Sequence, residues 1–251
     1  MKNKKYINII FLIYLVIMSE NIYSNNQQSR FSEKELKKME SKALKGDFKA
    51  SMTIVDYQLI DLQDSDTDIF WTCICFENNK SKGSWNFAYL NYMENENSLR
   101  YQYLIFLSEE FMIQNSTKEW LEIKKEWYAD FHKKFPDFKS SDDNLKFNDV
   151  TEENYQYFCD KAFSGSGLAA LKLAHFYENQ TDKNVYDAYK RLLDIGCKYN
   201  PDEENLPIFW LRIGAQNGNK ECMRKYAEFL RKSSDKYDNI RAEFWEKRSK
   251  T

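Results

Sequence analysis

Small and large apolar residues recur in this chain at the spacing of a helix that follows a tight turn. A small residue, a glycine three positions later, a second small residue after four more and a large apolar residue after another four occur at 43–54, 162–173 and 215–226. A weaker copy at 81–92 has Ser84 in place of the glycine. Small residues four apart lie on one helix face and let a neighbouring helix approach closely. Each copy therefore predicts a helical hairpin that turns at the glycine.

The third copy carries further residues that are typical of a known repeat. In order, these residues are Trp210, Gly214, Ala215, Gly218, Cys222 and Tyr226. This order resembles the Sel-one-like repeat, a relative of the tetratricopeptide repeat, and the resemblance extends over 157–251 and more weakly over 39–96. It implies an all-α fold, an α-solenoid of stacked helical hairpins in which each hairpin buries its apolar faces against its neighbours.

The repeats divide the chain into five expected segments. These are a signal peptide at 1–24, a linker at 25–38, N-terminal repeats at 39–96, a degenerate repeat or a helical insertion at 97–156, and C-terminal repeats at 157–251. In the fourth segment, apolar residues at helical spacing predict an amphipathic helix that covers the solenoid. These residues are Trp120, Ile123, Trp127 and Phe131.

The N-terminus has the order of an export signal. A basic stretch at 1–5 precedes an apolar run at 6–18 and a polar stretch at 19–24. The apolar run is shorter than the about 20 residues that a membrane-spanning helix needs. We expect cleavage after Ser24, a periplasmic or secreted protein and no stable membrane insertion after cleavage. An uncleaved inner-membrane anchor and a buried N-terminal helix are the alternatives.

Composition favours a folded helical protein and gives no case for nucleic acid binding. Of the 251 residues, 42% are hydrophobic and 16% aromatic, and the low counts of 7 glycines and 3 prolines argue against an all-β fold. The 37 basic and 39 acidic residues are interspersed and give a formal net charge of −2. Nucleic-acid-binding proteins concentrate basic residues on one face, so we expect no nucleic acid partner.

The chain has five cysteines, an odd number that leaves at least one unpaired within the molecule. Cys73 and Cys75 are two positions apart and point to different sides of a helix, which disfavours a bond between them. Cys159, Cys197 and Cys222 lie in adjacent predicted repeats and are either small core residues or include one disulfide. The sequence assigns no bridge.

Motifs that carry chemistry are absent from the sequence. There is no phosphate-binding glycine loop, no Gly-x-Ser-x-Gly motif and no closely spaced zinc-type cysteine pair. The chain has only two histidines, His132 and His175, and neither lies in a catalytic motif. We therefore expect no enzymatic activity, no cofactor and no metal site.

The repeat register predicts a polar surface. The four copies place one set of residues at an equivalent position and a second set three residues further along the same helix face. The first set is Thr53, Asn91, Lys172 and Lys225, and the second is Asp56, Glu94, His175 and Glu228. If these helices line the inner curve of the solenoid, the eight residues form two polar rows of a protein-binding groove. Ordinary solvated positions are the alternative.

The resemblance implies a function class. Some exported Sel-one-like proteins resemble immunity proteins that neutralise antibacterial effectors, including phospholipases delivered by type VI secretion. We therefore expect a non-enzymatic periplasmic protein that binds one protein partner, with a secreted toxin or effector as the narrower hypothesis. The alternatives are an envelope hydrolase that acts on peptidoglycan or β-lactam compounds, as described for some cysteine-rich relatives, and a membrane-tethered adaptor.

Overall fold

The computed structural model describes residues 30–58, 65–94, 98–114, 117–178 and 207–251. The expected signal peptide lies outside these ranges. All regular elements within them are helices and no strand occurs there, which confirms the all-α prediction. Among the described helices, none combines the length and apolarity needed to cross a bilayer.

Eleven helices are present in the described ranges. They are α1 (Glu33–Leu44), α2 (Phe48–Tyr57), α3 (Ser65–Asn78), α4 (Lys80–Glu94), α5 (Leu99–Gln114), α6 (Lys118–Lys134), α7 (Tyr155–Phe163), α8 (Gly167–Glu178), α9 (Pro207–Asn217), α10 (Lys220–Leu230) and α11 (Lys236–Ser249).

The first helix starts inside the segment 25–38 that was expected to be a linker. Ser32 and Glu35 form a capping box, in which Glu35 Oε2 accepts from the Ser32 amide at 2.9 Å and Ser32 Oγ accepts from the Glu35 amide at 3.4 Å. These bonds satisfy amide groups that a helix N-terminus otherwise leaves without partners. The helical region therefore begins at Glu33 and not at residue 39.

The three predicted glycine turns are present. Gly46, Gly165 and Gly218 have φ angles of +106°, +123° and +104°, which residues with a side chain rarely adopt. The residue after each glycine caps the next helix, and its side chain accepts a hydrogen bond from the amide three positions later. The capping pairs are Asp47 with Ala50 at 3.0 Å, Ser166 with Ala169 at 3.1 Å, and Asn219 with Cys222 at 2.9 Å.

The small residues of these copies are buried between helices, as their spacing predicts. The exposed fraction is 7% for Ala50 and zero for Ala169 and Cys222. A Cβ atom added to Gly214 of α9 would lie 2.3 Å from Cys222 Sγ of α10, so the two helices are in direct contact at this point. The small-residue pattern therefore indicates helix contact correctly.

The expected register of the weaker copy is wrong. Ser84 lies inside α4, and the turn occurs five residues earlier at Asn79, whose Oδ1 accepts from the Lys82 amide at 3.1 Å. Asn79 follows Asn78 directly, whereas Gly218 separates the corresponding residues Asn217 and Asn219 of the third copy. The gap-free alignment of small residues could not detect a turn that is one residue shorter.

The helices form two similar halves. We call α1–α5 the N-terminal half and α7–α11 the C-terminal half, with α6 between them. In each half, every described helix packs against the next described helix along the chain, and the first helix also contacts the third. The last helix of each half contacts the first helix of the other half, since α5 packs against α7 and α11 against α1. The array of helices therefore closes on itself.

Candidate functional site

Two of the predicted surface residues contact each other on α8 and α10. Lys225 Nζ donates to His175 Nε2 at 2.9 Å and lies 3.4 Å from both carboxylate oxygens of Glu178. The exposed side-chain fraction is 23% for Lys225 and 42% for Glu178. The three side chains therefore form a connected polar network that is partly open to solvent.

The other two predicted residues of the C-terminal half lie on the same two helices. Glu228 pairs with Arg224 at 2.8 Å, and both side chains of this pair are 56% exposed. Lys172 is half-buried on α8. We call the six residues of these helices the α8/α10 surface, namely Lys172, His175, Glu178, Arg224, Lys225 and Glu228.

The predicted residues of α2 are used locally. Thr53 Oγ1 donates to the Lys49 carbonyl of the same helix at 2.9 Å. Asp56 is half-buried, and burial raises the pKa of its carboxyl while the charge of Arg30 lowers it to a smaller extent. Neither residue contacts the α8/α10 surface in the described part of the chain.

The predicted residues of α4 are not at the expected equivalent positions. The side chains of Asn91 and Glu94 lie outside the described residues. Counted from the capping residue Asn79, the positions that correspond to Lys225 and Glu228 are Trp85 and Ala88. Trp85 packs on Trp127 of α6 with ring centroids 4.9 Å apart, and Ala88 is fully buried. The two predicted rows therefore do not continue across α4.

A buried charged centre, which sequence reasoning missed, joins the two halves. Glu77 of α3 is 2% exposed, and its Oε1 accepts from Arg212 Nε and Gln216 Nε2, both at 3.0 Å. Its Oε2 accepts from Arg241 Nη2 at 2.8 Å. Burial alone raises the pKa of this carboxyl, but the charges of Arg212 and Arg241 and their hydrogen bonds outweigh burial and hold the pKa below its usual value.

The two halves make equivalent arginine contacts across this centre. Arg241 of α11 donates to Glu77 and, at 2.9 Å, to Asn78 Oδ1. Arg100 of α5 donates to Gln216 Oε1 at 2.8 Å and to Asn217 Oδ1 at 3.0 Å. Each arginine thus comes from one half and binds the last two residues of the third helix of the other half.

The same reciprocal docking holds at the turn glycines. A Cβ atom on Gly46 would lie 2.9 Å from the Phe244 ring, and one on Gly165 would lie 2.8 Å from the Tyr103 ring. Phe244 lies three residues after Arg241, and Tyr103 lies three residues after Arg100. We call Arg100 and Arg241 the docking arginines. The aromatic rings therefore require a residue without a side chain at the turn they cover.

Two sequence signals could have revealed this arrangement. The order Ile-Phe-Trp-x-x-Ile-x-x-Glu/Gln-Asn occurs at 69–78 and again at 208–217, and an arginine followed three residues later by an aromatic residue occurs at 100–103 and 241–244. Both tryptophans of the first motif, Trp71 and Trp210, are buried. These longer matches align the two halves, whereas the small-residue pattern aligns single turns.

The cysteines differ in their state. Cys73 is disulfide-bonded, whereas Cys75, Cys159 and Cys222 are buried thiols that form no disulfide. The prediction that Cys73 and Cys75 do not pair is therefore confirmed. Burial raises the pKa of the Cys75 thiol to about 12, so this thiol is protonated at neutral pH and is a poor nucleophile.

A concave region lies outside the α8/α10 surface and the buried charged centre. A cavity of about 520 Å³ lies between the start of α5, the loop after α6 and α7, and is lined in part by Tyr157, Asp160, Lys161 and Ser164. His132 does not line this cavity and contacts Glu109 Oε2 at 2.9 Å on the protein surface. In the described ranges, no three residues of the types His, Cys, Asp and Glu are grouped so that they could hold a metal ion.

Comparison with known proteins finds no family model, no curated protein and no solved structure that matches this chain. The resemblance to the Sel-one-like repeat, and the function class that it implies, therefore stay predictions.

Proposed function

We propose that this chain is a non-enzymatic repeat protein of the bacterial periplasm that binds one protein partner. In this proposal, the fold is a divergent solenoid of Sel-one-like hairpins whose two ends are in contact. The sharply turned hairpins at Gly46, Gly165 and Gly218 and the packing of each helix on its chain neighbours support the repeat interpretation.

The observation that carries the proposal is the polar network of the α8/α10 surface. Lys225 is held between His175 and Glu178, and its ammonium group is only partly exposed. Side chains that are already ordered lose less conformational entropy when a partner binds, and alternating charges favour one complementary surface over others. The exposed Arg224–Glu228 pair extends the same alternation toward solvent.

The narrower proposal is that the partner is a secreted antibacterial effector and that this chain neutralises it. The export-like N-terminal sequence supports a periplasmic location. The disulfide at Cys73 also supports it, because disulfides persist in oxidising compartments such as the periplasm. An immunity protein needs a specific binding surface and no catalytic residues of its own, which fits the absence of catalytic motifs from the sequence.

The test is binding to the product of a toxin gene next to the gene for this chain, measured by biolayer interferometry with protein that starts at Asn25. The variant Arg224→Glu with Glu228→Arg exchanges the charges and keeps an i,i+4 pair on the helix. We expect about tenfold weaker binding, because like charges then face each other across the interface.

A matched control is available on α1. Glu33 and Lys37 form an i,i+4 pair with both side chains exposed, and exchanging their charges leaves the α8/α10 surface unchanged. We expect this control to bind as the wild-type chain does. The proposal of an immunity function is wrong if the wild-type chain neither binds the toxin nor protects cells that express it. Wild-type binding by the α10 variant as well would place the interface outside the α8/α10 surface.

A further inference from the structure

Among the described residues, positive charge exceeds negative charge in and next to the buried centre. Glu77 places one carboxylate there, and both of its oxygens already accept hydrogen bonds from Arg212, Gln216 and Arg241. Three further cations lie next to this centre, two of them against the Tyr103 side chain and the third against the Glu77 backbone carbonyl, and we call them the cation triad. They are Lys80, Arg100 and Arg248. Like charges in a region of low dielectric repel strongly unless an opposite charge lies between them.

Lys80 is the first residue of α4 and is half-buried. Its Nζ donates to the Tyr103 hydroxyl at 3.1 Å and lies 5.6 Å from the centroid of the same ring. Burial, together with the smaller effect of the Arg100 and Arg248 charges, lowers the pKa of this ammonium group to about 8. A neutral hydroxyl is thus its hydrogen-bond partner.

Arg100 is 5% exposed and binds neutral groups only. Its two terminal nitrogens donate to the amide oxygens of Gln216 and Asn217, and its Nε is buried without a hydrogen-bond partner. Burial lowers the pKa of this guanidinium to about 10, and the charge of Arg212 acts in the same direction. An arginine so deeply buried is normally paired with an anion.

Arg248 of α11 completes the triad. Its Nη1 donates to the backbone carbonyl of Glu77 at 2.6 Å, and its side chain is half-buried. Burial lowers the pKa of this guanidinium, and the charge of Glu77 offsets part of that effect. Within the described part of the chain, none of the three triad side chains forms an ion pair with a carboxylate.

The positions of Lys80 and Arg100 have counterparts in the other half with a different charge environment. Arg241, which corresponds to Arg100, has the carboxylate of Glu77 as its partner, whereas Arg100 has the amide of Gln216 at the same position. Lys220, the first residue of α10, corresponds to Lys80 and is exposed. Among the described residues of the C-terminal half, the two positions that correspond to Lys80 and Arg100 therefore hold an exposed lysine and an arginine that is paired with a carboxylate.

We propose that Lys80, Arg100 and Arg248 form a binding site for a small oxyanion of the phosphate type. A tetrahedral oxyanion accepts several hydrogen bonds at once and carries the negative charge that the triad lacks. The partial exposure of Lys80 and Arg248 gives the ligand access from solvent. The site is distinct from the α8/α10 surface and does not depend on the proposed function.

The test is thermal unfolding and isothermal titration of the full chain with inorganic phosphate, compared with chloride at equal ionic strength. We expect a saturable rise in Tm with phosphate and sulfate that chloride does not reproduce. Lys80→Met keeps the aliphatic stem and removes the charge, and we expect it to weaken phosphate binding by about tenfold or more. Lys220→Met, at the corresponding exposed position, is the matched control and is expected to bind as wild type.

The stability of Lys80→Met without phosphate distinguishes a loss of phosphate binding from a loss of folded structure. Because the folded-state pKa of Lys80 lies below the unfolded value, its charge destabilises the folded chain, and the free energy of unfolding rises as pH increases between about 8 and 10.5. Without phosphate, Lys80→Met is therefore expected to unfold at a higher temperature than wild type and to lack this rise. The neighbouring charges of Arg100, Arg248 and Glu77 are the same in both proteins.

A pH series with sulfate, which does not titrate in this range, checks the same group. We expect sulfate affinity of the wild-type chain to fall as pH increases past 8 and that of Lys80→Met to change little. The proposal is overturned if chloride raises Tm as much as phosphate does. It is also overturned if Lys80→Met and Lys220→Met bind phosphate as tightly as wild type.

Discussion

The two halves of the molecule share a helix order but cover their last two helices differently. In the N-terminal half, α6 lies over α4 and α5, where Trp127 packs on Trp85 and Phe131 is 5% exposed. In the C-terminal half, the outer side of α10 and α11 carries an ion pair between Arg231 and Glu246, with N–O distances of 2.5 and 2.6 Å.

One pair of corresponding residues explains the difference. Counted from the docking arginines, Ile105 of α5 corresponds to Glu246 of α11. Ile105 is 2% exposed and belongs to the apolar cluster that α6 covers, whereas Glu246 is partly exposed and pairs with Arg231. An apolar outer face needs a covering helix, because exposed apolar area is unfavourable in water. A polar face does not need one.

The largest expected effect comes from a change at the charged centre, where Glu77 of the N-terminal half corresponds to the neutral Gln216 of the C-terminal half. Glu77→Gln removes the carboxylate that Arg212 and Arg241 share, and we expect a loss of about 3–5 kcal/mol in the free energy of unfolding, because the buried guanidinium of Arg241 then loses the carboxylate with which it pairs. Urea denaturation at pH 7 measures it. As a control, Gln216→Ala removes a neutral partner and is expected to cost about 1–3 kcal/mol. Equal losses would show that the charge of Glu77 is unimportant.

The same centre has a predicted pH dependence. Because the folded-state pKa of Glu77 lies below its ordinary value of 4.5, its contribution is present above that value and is lost as pH falls through the folded-state pKa. Wild-type stability is therefore expected to fall more steeply below pH 4.5 than that of Glu77→Gln. Parallel curves for the two proteins from acid urea denaturation would contradict this assignment.

The next effect concerns the covering helix. Phe131→Ala is expected to lower the free energy of unfolding by about 3–5 kcal/mol, because it removes a buried aromatic ring between α6 and α5. Ile123→Ala on the same helix is the control, since Ile123 is 39% exposed, and we expect a cost of about 0.5 kcal/mol. If both variants unfold alike, α6 does not cover an apolar face.

The turn glycines give a smaller and graded effect. Gly218→Ala adds backbone strain only, because no atom lies within 4 Å of the added Cβ, and its expected cost is about 1–2 kcal/mol. Gly46→Ala adds the same strain and also displaces the Phe244 ring, so we expect about 1 kcal/mol more. Thermal unfolding of the two variants compares them directly. A smaller loss for Gly46→Ala would contradict the docking of α11 on the first turn.

The smallest effect is expected at the polar face. Glu246→Ala breaks the pair with Arg231, whose side chain is 44% exposed, and such pairs contribute about 0.2–1 kcal/mol. Ile105→Ala at the corresponding position is the comparison and is expected to cost about 2–5 kcal/mol because its side chain is buried. Similar losses at both positions would remove the distinction between the two faces.

Part of the candidate site follows from the sequence. The register of the glycine turns placed His175 and Lys225 on neighbouring helices, and the two side chains are in contact. The same register was wrong for Asn91 and Glu94, because the turn at Asn79 is one residue shorter and contains no glycine. A spacing pattern is reliable only where the turn keeps its length.

The sequence by itself determined the all-α fold, the three glycine turns and the small residues at helix contacts, because these depend on residues within about one or two helical turns of each other. Only the tertiary structure decided which distant residues meet. Glu77 binds arginines that lie 135 and 164 positions away, and Arg100 and Arg241 dock on opposite halves. Such contacts depend on how whole helices pack and close into one array. The sequence matches at 69–78 and 208–217 show which positions of the two halves correspond, but they do not show which helices meet.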